Sequence, residues 1–135
     1  MPTTFPLPSL RSLLLIDAAT CATMGLALDL AAAPIAALTG LPQPLLLYAG
    51  LSLLPIAAFL ALVALRPAQQ PAGGWLVIAG NAGWVIASLA LIAAGWVQPN
   101  GLGVAFVLVQ ALAVAGLTLL ELAALRRATL RSRAA

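Results

Sequence analysis

Long apolar runs separated by proline, glycine or arginine set the pattern of this chain. They cover residues 10–30, 45–65, 75–97 and 102–125, with approximate ends. Each has about the twenty residues needed to cross a hydrocarbon layer roughly 30 Å thick. A chain crossing lipid must satisfy its own backbone polar groups, so the runs predict helices rather than an open sheet. The expected fold is all-α: a four-transmembrane-helix bundle with both ends on one side of the membrane.

The connections read differently from one another. Residues 1–9, "MPTTFPLPS", carry three prolines and no periodicity, and predict a flexible tail. "AAAPIAALTGLPQP" is apolar but broken by Pro34, Gly40, Pro42 and Pro44, which predicts a short interfacial helix or loop. "RPAQQPAGG" predicts a turn in water, and "QPNG" a tight turn. Residues 126–135, "RRATLRSRAA", form a basic tail. A cleavable leader is not expected, because Asp17 interrupts the first run and Pro34 follows the Ala31–Ala33 stretch.

Composition agrees with lipid as the solvent. The 135 residues are 64% hydrophobic and 7% charged, against about 45–50% and about 25% in soluble domains. A soluble fold of this size could not hide so much apolar surface. There is no histidine and one cysteine, Cys21, which excludes an internal disulfide, bis-histidine haem and cysteine-held zinc or iron–sulfur sites. No phosphate-binding loop motif occurs. Neither an enzyme nor a metal or organic cofactor is expected. Absence of lysine, with heavy use of Ala, Leu and Arg, points to a GC-rich bacterial genome.

The net charge of +3 comes from Arg11, Arg66, Arg126, Arg127, Arg131 and Arg133 against Asp17, Asp29 and Glu121. All six arginines fall on the side shared by the termini and the middle connection. The other two connections, 31–44 and 98–101, have none. Under the positive-inside rule both termini are expected in the cytoplasm, in a bacterial inner membrane. The arginines serve topology and anionic lipid headgroups rather than nucleic acid. Tyr48, Trp75 and Trp96 lie near run ends, where amphipathic rings prefer the interface. Trp84 is deeper and reads as packing.

Depth along each run sorts the polar residues. At a rise of 1.5 Å per residue, Asp17 is about 9 Å inside Arg11, Asn81 about 9 Å inside Trp75, and Glu121 about 7–8 Å inside Arg126. Three polar groups on three helices thus share one layer. An ionisable side chain in hydrocarbon costs on the order of 2.5–3.5 kcal/mol at the bilayer centre. The cheapest arrangement turns the three inward to bond one another. The two acids could share a proton or draw Arg11, Arg66 or Arg126. Asp29, near the far end of its run, is expected to cap or face the interface.

Gln110 and Glu121, eleven residues apart, share a helix face. Asp17, Cys21 and Met24 share another, and Asn81, Trp84 and Ser88 a third. Ala79, Gly83 and Ala87 form a small-residue stripe suited to close helix contact. Pro55 is expected to kink its helix, with Ser52 satisfying a freed carbonyl. Such polar residues act as interhelical glue, worth about 0.6 kcal/mol each. Two sharper readings of the Asp17, Asn81 and Glu121 layer are proton-linked transport and a pocket for a lipid, a quinone or a partner. Gln110 and Ser88 read as secondary polar contacts.

The landmarks "LLLIDA", "GLPQPLLLYAGLSLLP", "GNAGWVIAS", "GWVQPNGLGVAFVLVQA" and "ELAALRR" resemble small four-span bacterial inner-membrane proteins. The span count is similar to DoxX-like four-helix membrane proteins. Neither resemblance implies an activity residue by residue. Small multidrug-resistance transporters are also similar, with four short spans and an acid in the first, where Asp17 would stand. The chain departs from them in having Asp rather than Glu and in lacking their aromatic pattern in the third span. Its one-sided arginines also oppose insertion in both directions. "LALVALRPA" and "LELAALRRA" close the second and fourth runs alike, as duplicated hairpins would, though a Leu- and Ala-rich chain produces such matches by chance. The expected function is that of a non-catalytic accessory or interaction component, with a membrane-protein partner or a second copy. The alternative is a small proton-coupled transporter using intramembrane carboxylates.

Overall fold

A computed structural model of the chain describes residues 5–66 and 71–135. The order of elements is α1 (Leu10–Leu30), α2 (Ala32–Thr39), α3 (Gln43–Leu65), α4 (Pro71–Ala93) and α5 (Gly101–Ala134). No strand occurs among the described residues. Helices α1, α3, α4 and α5 are long and apolar enough to cross a membrane. Residues 5–9 are exposed and non-helical. The tail reading for 1–4 and the water-exposed turn at 67–70 lie outside the described residues.

Local chemistry accounts for the boundaries. Ser9 starts α1, its hydroxyl accepting from the Ser12 amide at 3.2 Å, because the first amides of a helix lack intrahelical partners. Gly40, at φ 71°, ends α2 in the left-handed conformation that glycine reaches without strain. Pro44 sits in the first turn of α3, where a missing N–H costs nothing. Gly95, at φ 69°, follows the end of α4. The third span therefore occupies 71–93, about one turn earlier than its hydropathy suggests, and Trp96 and Val97 belong to the connection. The basic segment 126–134 continues α5 instead of forming a separate tail. Ser52 does not repair the gap at Pro55. Its hydroxyl donates to Tyr48 O at 2.7 Å, and α3 remains one helix through the proline.

The bundle consists of two helical hairpins. Helix α1 packs closely on α3, and α4 on α5. The first pair crosses at Gly25 and Gly50. A Cβ on Gly50 would stand 2.8 Å from Gly25 O, and one on Gly25 3.0 Å from Gly50 O. Only glycine lets the two backbones approach so far. Leu14, Leu28, Leu46, Leu53 and Leu60 fill the space on either side.

The hairpins join at both ends. At the end bearing the termini, Leu10 of α1 and Leu125 of α5 meet over Gly74 of α4. At the opposite end, the Asn100 amide donates to Thr39 O at 3.0 Å and its Nδ2 to Leu38 O at 2.8 Å. Asn100 Oδ1 also accepts from Gly103 N at 2.9 Å, capping α5. One asparagine thus satisfies orphan groups of two helix ends. Apart from Val63 against Gly73 beside the first of these clamps, α3 and α4 barely touch.

The stripe of Ala79, Gly83 and Ala87 does not mediate contact within the bundle. All three are exposed, and nothing lies within 4 Å of where a Gly83 side chain would begin. Helix α4 turns its polar-bearing face inward, which leaves these small residues outside.

Candidate functional site

Asp17, Asn81 and Glu121 come from α1, α4 and α5. They are 2%, 7% and 0% exposed, respectively. Asn81 Nδ2 donates to Asp17 Oδ2 at 2.8 Å and to Glu121 Oε2 at 3.2 Å. Two acceptors need two donors, so the amide nitrogen is the atom that must face the acids. The two carboxyls thus meet at one amide nitrogen. Glu121 Oε1 is buried without a donor. The Cys21 thiol, one turn along α1, lies 3.6 Å from Asp17 Oδ1.

Arginine does not enter this cluster. Arg11, Arg66, Arg126, Arg131 and Arg133 are exposed. Arg127 is half-buried, its Nε 3.4 Å from Ala123 O on its own helix. All six stand at the end of the bundle that bears the termini: the start of α1, the end of α3 and the last turns of α5.

A second cluster ties α4 to α5 deeper in the bundle. Trp84 Nε1 donates to Gln110 Oε1 at 2.9 Å, and Gln110 Nε2 to Ser88 Oγ at 3.0 Å and Val107 O at 3.0 Å. Ser88 Oγ donates to Trp84 O at 2.8 Å. Trp84 is therefore a hydrogen-bonding partner as well as a packing residue. Depth carried the missing signal. Trp84 lies nine residues before the end of α4 and Gln110 nine after the start of α5, about 13 Å in from the same end of the bundle.

Asp29 neither caps a helix nor faces the interface freely. The C-cap of α1 is Ala31, whose N–H bonds Ala27 O. Asp29 is half-buried, and its Oδ1 occupies the space where a Gly50 side chain would begin, without a hydrogen-bond partner. Its position at the end of a span gave no sign of the glycine across the helix pair.

A crevice of about 140 Å³ opens beside the carboxylate–amide cluster. Its floor is Asp17, Cys21 and Asn81; Leu53, Ile56 and Leu60 of α3 and Val77, Gly80 and Trp84 of α4 form much of its walls. Phe59 and Leu76, which also line it, are 41% and 61% exposed on the flank of the bundle. The parting of α3 from α4 makes the opening, so it faces the side of the bundle rather than its end. Among the described residues no group of three His, Cys, Asp or Glu side chains converges to hold a metal ion.

The fold defines a multi-pass helical membrane protein with a buried two-acid, one-amide cluster linking three spans. No protein family, curated protein or solved structure matches the chain.

Proposed function

We propose that the chain is a non-catalytic integral protein of the bacterial inner membrane, with both termini in the cytoplasm, acting as an accessory or interaction component of a larger membrane assembly. The observation that carries this reading is the mutual bonding of Asp17, Asn81 and Glu121. Asn81 gives both amide protons to the two acids, and a single proton shared between the acids would replace repulsion with attraction. The polar groups are thereby spent on holding spans together. The gathering of six arginines at one end supports the orientation. The exposed small-residue face of α4 offers a flat surface to a further helix. Purification in mild detergent should retrieve a stoichiometric membrane partner, lost on Gly83→Leu while the fold survives. Isolation as a bare monomer, or retention of the partner by that variant, overturns the proposal.

A second reading is proton-linked transport, favoured by one observation: Asp17 lines a crevice. Paired Asp17→Asn and Glu121→Gln substitutions should then abolish substrate-driven proton flux in vesicles. Unchanged flux removes this reading.

A further inference from the structure

We propose that the crevice between α3 and α4 is a binding site for a membrane-dissolved amphiphile with a ring-sized, hydroxyl-bearing headgroup of the phenol type. Its size comes first. A cavity of about 140 Å³ is close to the roughly 150 Å³ that accommodates a benzene ring in an apolar protein interior. The walls come second. Leu53, Ile56, Leu60 and Val77 are apolar, and Trp84 presents an indole whose N–H is already engaged by Gln110, which leaves its ring free for contact with another ring.

The floor sets the polarity of the head. Asp17 Oδ2 is taken by Asn81, but Oδ1 has only the weak thiol donor of Cys21 at 3.6 Å. A carboxylate oxygen has two lone-pair sites, and a thiol is a poor partner for one. Asn81 has both amide protons committed to acids. The floor therefore offers an acceptor and no strong free donor, so a head that donates is preferred to one that only accepts. The opening sets the tail. Phe59 and Leu76 stand exposed at the rim on the bundle flank, where an alkyl chain would pass straight into lipid. Gly80 lies in the wall with nothing within 4 Å of where its side chain would begin, so the space beside it is open to a ligand.

Trp84 is also the reporter. With Trp75 and Trp96 replaced by Phe, it is the one remaining tryptophan. In lipid vesicles, a 4-alkylphenol brominated on the ring should quench Trp84 saturably. The matching alkylbromobenzene, which lacks the hydroxyl, should bind up to roughly tenfold more weakly, as expected for one lost hydrogen bond. Gly80→Leu, which fills the crevice without touching the polar cluster, should remove saturable quenching while leaving the unfolding midpoint in place. Equal quenching by both compounds, or saturable quenching that persists in folded Gly80→Leu, overturns the proposal.

Discussion

Asn81 of α4 bonds Asp17 of α1 at 2.8 Å, yet among the described residues these two helices make no backbone approach. The side chains bridge the gap by themselves, and Glu121 completes the bridge from α5. The contact between the two hairpins near the termini is thus chemical as much as steric.

Removing the amide should expose that dependence. In Asn81→Leu two buried carboxyls lose their shared donor, and each buried acceptor left unsatisfied costs about 1–3 kcal/mol. Stability measured by detergent-driven unfolding should fall by that order. Asp17→Asn with Glu121→Gln keeps the shapes and removes the acidity, and should stay within about 1 kcal/mol of the parent, the scale of ordinary interhelical hydrogen bonds in membranes. A double variant as unstable as Asn81→Leu would show that charge, not hydrogen bonding, holds the cluster.

Two glycines make an internal contrast. Gly50→Ala places a methyl against the Asp29 carboxylate and Gly25 O, forcing α1 from α3 at a cost of about 1–3 kcal/mol. Gly83→Ala meets nothing and should leave the unfolding midpoint unchanged. Equal midpoints for the two variants would contradict the close crossing of α1 and α3.

Asn100 should be sensitive to aspartate as well as alanine. Asn100→Ala loses the α5 cap and the bond to Leu38 O, each worth about 1 kcal/mol. Asn100→Asp keeps the capping oxygen but sets a carboxylate oxygen against a carbonyl. Hydrogen exchange should therefore quicken at the end of α2 and the start of α5 in Asn100→Ala. In Asn100→Asp it should quicken mainly at the α2 end.

Cys21 is buried within the bundle, so an impermeant maleimide should leave the native protein unlabelled. In a Cys21→Ala background, Ser9→Cys and Ser132→Cys should react with an impermeant maleimide from the same side of the membrane. Gln98→Cys should react from the other. Labelling of all three from one side would exclude four crossings.

Much of this protein was written along its chain. Four crossings were legible because lipid demands long apolar segments, and Pro34, Gly40, Pro42 and the "QPNG" stretch marked where they stop. The shared depth of Asp17, Asn81 and Glu121 followed from the rise of a helix. Direction around each helix was another matter. A side chain meets apolar surroundings whether it faces lipid or a neighbouring span, so an apolar pattern carries depth but no azimuth. Only tertiary structure decided that Gly50 receives Asp29 while Gly83 looks outward, that Trp84 bonds Gln110, and that α3 parts from α4 to open a crevice beside Asp17.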